Sequence, residues 1–249
     1  MVSFCYAGEG CAYAPPMLGS GAQRAAVIAA FLAALILLSS PAGASAAPPM
    51  GPFLDDVLTS VDTYWHQTDA AEGRPAPSVQ HVWIAPGATV NSGCGASAND
   101  SSAFYCPTDD TIYVGQSFAG SLYDGVDGSL PGKAAGFGRA VGAWAVAYVV
   151  AHEYGHNVQQ ERGVRGNPYR ALPTELNADC LAGTWTHWEY GQGKITDADV
   201  QQVLDTALAV GDFEVTSPQH HGTPQQRRDA VMTGLKDGHD SACDTYLRQ

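Results

Sequence analysis

The stretch His152-Glu153-Tyr154-Gly155-His156 decides the fold of this chain. It lies in residues 138–160, which contain no proline and are apolar almost all round from 140 to 151, and this pattern predicts a buried helix. Residues four apart lie on one face of a helix, so both imidazoles can bind one metal ion. Glu153 lies beside the pair, within reach of a metal-bound water. The stretch therefore predicts a metal site on a core helix.

Burial favours a metal over a chance match on a surface helix. Two His and a carboxylate are costly to bury in an apolar helix unless they are paired or bind a metal. The twelve residues 140–151 are too few to cross a bilayer. Gly155 costs about 1 kcal/mol relative to Ala inside a helix, so it predicts the close approach of another backbone, with a merely tolerated glycine as the alternative.

A third ligand is expected from the segment that follows. Thr174 is a candidate N-cap for a second helix, and Glu175 lies nineteen residues past His156. The turn-rich loop at residues 163–173 leaves enough chain to bring Glu175 beside the His pair. Asp179, four residues later, points the same way and can accept the free ring N–H of a ligand histidine. An exposed Glu/Asp pair on a helix surface is the alternative.

The residues after the second His exclude the metzincin variant of this pattern. That variant requires Gly and His three and six positions after the second motif His. Gln159 and Arg162 occupy these positions here. Two His with a downstream Glu remain, and this arrangement resembles the gluzincin group of metallopeptidases.

Further motifs narrow the resemblance and span roughly residues 50–249. In chain order they are Ser92-Gly93-Cys94-Gly95, Phe104-Tyr105-Cys106-Pro107 with Asp109, the 152–156 stretch with Asn157-Val158-Gln159, Glu175-Leu176-Asn177-Ala178-Asp179-Cys180 with Ala182-Gly183, His221-Gly222-Thr223 with Gln226-Arg227, and Cys243-Asp244. Their order and spacing are similar to those of a bacterial neutral zinc metallopeptidase family. The resemblance implies a zincin-like fold, zinc held by His152, His156 and Glu175, and Glu153 as the catalytic base. It implies no particular substrate.

His221 is the candidate donor to the oxyanion that forms during hydrolysis. It lies directly before a predicted helix, where a flexible loop can direct it towards the site. The resemblance includes this His, and a capping or packing role is the alternative. Tyr105 and Tyr113 are further candidates, with core or rim packing as their alternative.

The first 46 residues are a predicted signal peptide. Arg24 supplies its positive charge, residues 25–38 form its apolar run, and Ala44-Ser45-Ala46 predicts cleavage after Ala46. The run is too short for a confident membrane span. Met17 is an alternative translation start. Since no Cys follows the run as in a lipoprotein, the expected product is a free secreted domain of residues 47–249.

The acidity of the chain limits its partners. Its net charge is −13, and loss of residues 1–46 removes one Glu and one Arg, so the charge of the mature chain stays at −13. This charge argues against nucleic acid or an anionic membrane as a partner and favours neutral or basic peptides and proteins. About two hundred residues suit one domain, which we expect to be monomeric.

The cysteines of the mature chain predict disulfides. Cys94, Cys106, Cys180 and Cys243 are an even number in an oxidising compartment. Three pairings exist, and we favour Cys94–Cys106, which closes a polar loop, and Cys180–Cys243, which ties the C-terminal tail to the Glu175 helix. Zinc ligation is the rival interpretation, but the close Cys pairs of a structural zinc site are absent from the sequence.

Zinc is the expected cofactor, one catalytic ion per chain. Calcium is a further hypothesis that rests only on spaced acidic residues, namely Asp109, Asp110, Asp124 and Asp127. Such residues in loops are more often solvated than bound to an ion.

Hydrophobic periodicity predicts an α+β domain in which a small sheet packs on the active-site helix. Strands are predicted at residues 78–84 and 111–114, and further helices at 53–66, 175–191, 197–211 and 224–236. Thr196 is a predicted N-cap, and Thr223 with Gln226 a predicted capping box. We hypothesise that residues 111–114 form a sheet edge to which a substrate peptide adds as a strand, with an interior strand as the alternative.

The sequence thus predicts a secreted zinc-dependent metallopeptidase. One alternative is a secreted zinc-containing binding protein without proteolytic activity, although every group needed for catalysis is present. Another is a cell-wall peptide amidase, which would share the zinc ligands and differ only in its cleft.

Overall fold

The computed structural model describes residues 47–95, 97–167 and 169–248. The predicted signal peptide lies outside the described residues. In chain order the elements are α1 (Met50–Ala71), β1 (Gln80–Ile84), β2 (Thr89–Asn91), β3 (Ser97–Asn99), β4 (Ala103–Cys106), β5 (Thr111–Gly115), α2 (Gln116–Tyr123), α3 (Pro131–Ala134), α4 (Ala143–Glu161), α5 (Leu172–Gly191), α6 (Asp197–Val210), α7 (Pro224–Asp237), a 3-10 turn (Asp240–Cys243) and α8 (Asp244–Leu247). A small sheet with mainly C-terminal helices is the α+β architecture predicted from the sequence, and it is consistent with a zincin-like domain.

Helix α4 carries the 152–156 stretch through the core. Every residue from Ala145 to Gly155 is buried, because the apolar residues leave the helix no polar face for solvent. The helix begins later than predicted, after Gly142, whose φ of 94° does not suit a right-handed helix. It ends at Glu161, two residues before Gly163 with its φ of 70°.

Helix α5 crosses α4 at Gly155. A Cβ at Gly155 would lie 3.1 Å from the Cα and the carbonyl oxygen of Ala178. The predicted close approach of another backbone is therefore confirmed. The crossing brings the first turns of α5, with Glu175 and Asp179, beside the two His of α4.

Helix α7 packs closely on the other side of α5. A Cβ on Gly183 would collide with the main chain of α7 at Val231, and one on Gly234 would collide with the main chain of α5 at Cys180. The glycines let the two backbones come together, and this packing brings Arg227 of α7 beside Asp179 of α5.

The main sheet has the strand order β1-β5-β4. β5 pairs with β1 in parallel and with β4 in antiparallel orientation, and all five of its residues are buried. The hypothesis that residues 111–114 form a docking edge is therefore wrong, because β5 is the central strand. The strand next to α4 with a free edge is β4. Strands β2 and β3 form a separate antiparallel pair.

Helix starts partly follow the predicted capping chemistry. Thr196 caps α6 with Asp199, and Thr223 forms the predicted capping box with Gln226 at α7. Thr174, in contrast, is not an N-cap, because α5 begins at Leu172. Its hydroxyl donates to the carbonyl of Ala171, 2.8 Å away.

Two disulfides join the pairs favoured from the sequence. Cys94 is bonded to Cys106, and Cys180 to Cys243. The first pins the β2–β3 region to the end of β4, and the second joins α5 to the C-terminal turn. Across the residues that the structure describes, no helix has the length and apolar character needed to span a membrane.

Candidate active site

The three candidate metal ligands converge at a cavity of about 600 Å³. His152 and His156 project from α4, and Glu175 projects from the first turn of α5. The Nε2 atom of His152 lies 3.2 Å from Oε2 of Glu175, and the Nε2 atom of His156 lies 3.5 Å from Oε1. Within the described part of the chain, these residues are the only group of three or more His, Cys, Asp or Glu placed to share a metal ion.

This donor set fits zinc. Tetrahedral zinc with bonds of about 2.0–2.1 Å holds neighbouring donor atoms about 3.3 Å apart. The two imidazole-to-carboxylate distances, 3.2 Å and 3.5 Å, lie close to this separation. Two imidazoles and one carboxylate form a ligand set found in catalytic zinc sites, which keep a fourth position open.

Asp179 is a buried carboxylate that contacts His152 on the side of the ring away from Glu175. Its Oδ1 atom lies 2.8 Å from Nδ1 of His152 and accepts the hydroxyl hydrogen of Tyr148 at 2.5 Å. Arg227 donates to both oxygens, through Nε and Nη2, each at 2.8 Å. The structure thus places Asp179 where it fixes the ring orientation of His152, and two residues without a sequence-predicted role complete its surroundings.

The charges of this cluster shift the pKa values of its members. Burial opposes ionisation of Asp179, but Arg227 and His152 outweigh it and lower the pKa of the carboxyl group. The pKa of Glu175 lies well below its usual range, because its two imidazole neighbours outweigh burial. Burial also opposes protonation of His152, yet Asp179 and Glu175 raise its pKa to about 10. The carboxylates favour protonation of the neighbouring imidazoles, and a bound divalent cation would compete with those protons.

Glu153 lies beside the ligand cluster and is fixed by the edge strand of the sheet. Its Oε2 atom accepts the main-chain N–H of Tyr105 on β4, at 2.9 Å. Its side chain lines the cavity together with the metal ligands. One carboxylate oxygen is therefore held by β4, at the boundary of the cavity.

His221 lines the same cavity with a half-exposed side chain. Its main-chain N–H donates to Oδ2 of Asp212 at 2.8 Å. The neighbouring His220 is buried and contacts the other oxygen of Asp212 through Nδ1. Asp212 thus holds the loop before α7 so that His221 faces the cleft.

The hydroxyl groups of the two candidate tyrosines are not directed to the cavity. Tyr105 donates its hydroxyl to Asp110 at 2.8 Å, and Tyr113 donates its hydroxyl to Asp109 at 2.7 Å. The expectation that either hydroxyl stabilises an oxyanion is therefore corrected. Tyr105 contributes to the site through its main-chain N–H, which donates to Glu153.

A shared calcium site is not formed by the four candidate aspartates. Asp109 and Asp110 are engaged by the tyrosine hydroxyls, and Asp127 accepts hydrogen bonds from Ser121 and Ser129. Within residues 47–95, 97–167 and 169–248, these aspartates belong to no group of metal-ligating side chains.

Three residues of the site had no role predicted from the sequence. Tyr148 precedes His152 by one helical turn, so its spacing was a usable signal. Gln159 is buried at one helical turn beyond His156. Arg227 reaches Asp179 only through the packing of α7 on α5. In the sequence, only its place among the family motifs indicated a role for this residue.

The chain matches known proteins along most of its length. A family model described as putative neutral zinc metallopeptidase covers residues 38–246. Uncharacterized protein Rv2575 of Mycobacterium tuberculosis is 32% identical over 214 residues, which cover 75% of this chain and 67% of that protein. Uncharacterized protein YpfJ of Escherichia coli is 31% identical over 216 residues, 78% of this chain and 70% of that protein. No solved structure matches the chain with significance.

Proposed function

The chain belongs to the family described as putative neutral zinc metallopeptidases, and on this basis we propose that it is a secreted zinc-dependent endopeptidase. The observation that carries the proposal is the convergence of His152, His156 and Glu175 at a cavity that Glu153 also lines. A structural zinc site would be closed by a fourth protein ligand, whereas three ligands at an open cavity suit catalysis.

Glu153 is the proposed general base. When bound, zinc polarises the scissile carbonyl and lowers the pKa of water in the cleft towards about 7. The main-chain N–H of Tyr105 holds one oxygen of Glu153, which leaves the other to take a proton from the attacking water. Glu153 then delivers this proton to the amine that leaves.

The free edge of β4 is the proposed docking strand for the substrate, in place of β5. All four residues of β4 are in register with β5, Tyr105 opposite Ile112, and the main-chain N–H of Tyr105 donates to Glu153 of α4. The outer edge of β4 therefore faces the cleft. An extended peptide could add there main chain to main chain, so that its scissile bond comes to lie over the ligand cluster.

His221 is the proposed donor to the oxyanion. It lines the cavity, and Asp212 fixes its main chain. A half-exposed imidazole can turn towards a developing negative charge and stabilise it more than it stabilises the neutral carbonyl.

Secretion is the proposed destination of the protein. The two disulfides suit an oxidising compartment. We propose that residues 1–46 are removed on export and that residues 47–249 form the single mature domain.

The test is cleavage of a mixed peptide library by zinc-loaded mature protein, read by mass spectrometry. The wild type is expected to cut the library, and Glu153→Gln is expected to lose cleavage while it retains zinc. Glu161→Gln is the matched control, because Glu161 is exposed at the end of the same helix. Equal cleavage by the wild type and Glu153→Gln would contradict the assignment of the base.

Two other results would support the alternatives instead. Zinc bound without cleavage by any variant would favour a zinc-containing binding protein. Cleavage confined to cell-wall peptides, in a parallel assay, would favour an amidase.

A further inference from the structure

Two buried amides lie between His156 and the C-terminal tail. Gln159 Oε1 lies 3.1 Å from Nδ1 of His156. Gln159 Nε2 donates to the carbonyl of Thr174 at 2.7 Å and to Oδ1 of Asn177 at 2.9 Å. Asn177 Nδ2 in turn donates to the carbonyl of Cys243 at 2.9 Å. A continuous series of hydrogen bonds, here named the amide chain, therefore joins Cys243 to His156 through Asn177 and Gln159.

The amide chain has one possible hydrogen-bond direction. The carbonyls of Cys243 and Thr174 can only accept. Asn177 must therefore turn its NH₂ group to Cys243 and its oxygen to Gln159. Gln159 must turn its NH₂ group to α5 and its oxygen to His156. An oxygen at this position requires the proton of His156 to be on Nδ1, which leaves the lone pair on Nε2.

This tautomer is the one that a metal ligand needs here. Nε2 of His156 faces Glu175, with 3.5 Å between Nε2 and Oε1. Gln159 also binds the carbonyl of Thr174, the residue directly before Glu175. One side chain thus fixes the ring of one ligand and the backbone beside another.

We propose that Gln159 and Asn177 are positioning residues that set the metal affinity of the site through His156, with Cys243 as the fixed end of the amide chain. The proposal rests on the metal site of the proposed function. It extends that site to the tail, since Cys243 is held against α5 by its disulfide to Cys180.

A neutral amide suits this position for an electrostatic reason. The cluster already contains three carboxylates, those of the buried Glu153 and Asp179 and of the partly buried Glu175. A carboxylate in place of Gln159 would add a further negative charge and would face the oxygens of Thr174 and Asn177. The amide accepts from His156 at one end and donates to α5 at the other, so both of its ends are satisfied.

The experiment measures zinc affinity of the metal-free mature chain by competition with a chromophoric chelator. Gln159→Leu removes both ends of the contact, and we expect zinc binding to weaken about 10- to 100-fold. Asn177→Asp keeps an oxygen for Gln159 but loses the donor to Cys243, and we expect a loss of about 10-fold. Gln201→Leu is the control, since Gln201 is exposed on α6 and does not line the cavity, and its affinity should match the wild type.

A second readout separates positioning from stability alone. The visible absorption spectrum of the cobalt-substituted protein reports ligand geometry, and it should change in Gln159→Leu and Asn177→Asp but not in Gln201→Leu. Since both residues act through one series of bonds, the double variant should bind zinc within about twofold of Gln159→Leu. Circular dichroism establishes whether each variant is folded. If Gln159→Leu is unfolded, the zinc affinity and cobalt spectrum of Asn177→Asp test the proposal.

The outcomes separate this inference from the function on which it rests. If the wild type binds zinc and the folded variants show the same affinity and the same cobalt spectrum, the proposed role of the amide chain is overturned, but the metal site is not. A wild type that binds no zinc would overturn the metal site itself and the inference with it. Zinc binding that depends on Gln159, in a protein that cuts no peptide, would support the amide chain and contradict the peptidase.

Discussion

Arg227 and Asp179 form a buried charge pair that contacts His152 at the candidate metal site. Asp179 is fully buried, and Arg227 is 6% exposed. Both oxygens of Asp179 accept from the guanidinium group, and one of them also contacts His152. A buried ion pair contributes little net stability, but removal of one partner is costly because the other charge remains. The pair therefore fixes the position of His152, but the stability of the fold becomes sensitive to mutation of either partner.

Asp179→Asn tests this pair. We expect metal affinity to fall about 10- to 100-fold, because His152 loses its charged acceptor. The free energy of unfolding should fall by about 3–5 kcal/mol, because Arg227 keeps a buried charge without its partner. Chelator competition and urea denaturation measure the two effects. Asp229→Asn, at an exposed position of α7, is the control, and equal behaviour of the two variants would refute the pair's role.

Single residues of the site were predictable where their signal is local. The His pair follows from a spacing of four residues on α4, and Asp179 from the same spacing after Glu175 on α5. Arg227 lies 48 residues from Asp179, and no periodicity links the two. The role of the tyrosine hydroxyls stayed open for the same reason, since the sequence does not show which carboxylate lies beside each ring.

At the scale of elements, the crossing of α4 and α5 determines where Glu175, the third candidate ligand, lies. A Cβ at position 155 would lie 3.1 Å from the main chain of Ala178, closer than ordinary van der Waals contact, so the glycine suits this close crossing. A wider crossing would move Glu175 away from the His pair, so the geometry of the site depends on packing outside it.

Gly155→Ala tests the crossing. Ala is the better helix former by about 1 kcal/mol, but its Cβ would lie 3.1 Å from the backbone of Ala178. We expect a net loss of about 1–3 kcal/mol in the free energy of unfolding, measured with urea. Gly191→Ala, whose Cβ would have no atom within 4 Å, should be neutral or stabilising. A Gly155→Ala protein as stable as Gly191→Ala would show that the crossing is not tight.

The elements themselves were predicted well where their pattern is local, and less well where it depends on pairing. The capping box at Thr223 was visible as residue types at fixed offsets. The place of β5 in the sheet was not, because alternation and β-propensity do not show which strand lies at the centre. The start of α4 was placed too early because Gly138 and Gly142 adopt positive φ values, which composition alone does not show.

At the scale of the whole molecule, two disulfides restrain the chain, and they close loops of very different length. Cys94–Cys106 spans 12 residues at the end of β4, and Cys180–Cys243 spans 63 residues and ties the tail to α5. A longer closed loop removes more conformational entropy from the unfolded chain. The second disulfide should therefore contribute more to stability.

Paired cysteine-to-alanine variants measure this difference by reversible denaturation. Loss of Cys180–Cys243 should lower the free energy of unfolding by roughly 4 kcal/mol, and loss of Cys94–Cys106 by roughly 3 kcal/mol. Wild type in reductant should lose the stability of both. Equal stability of the Cys180→Ala/Cys243→Ala variant and the wild type would contradict the role given to the tail.

The central claim is that one zinc ion lies between α4 and α5. The most direct test is an anomalous difference map from crystals of zinc-loaded mature protein, recorded at the zinc absorption edge. The account predicts one peak at about 2.0–2.2 Å from Nε2 of His152, Nε2 of His156 and an oxygen of Glu175. An ordered site without a peak, or a peak held by other residues, would contradict it.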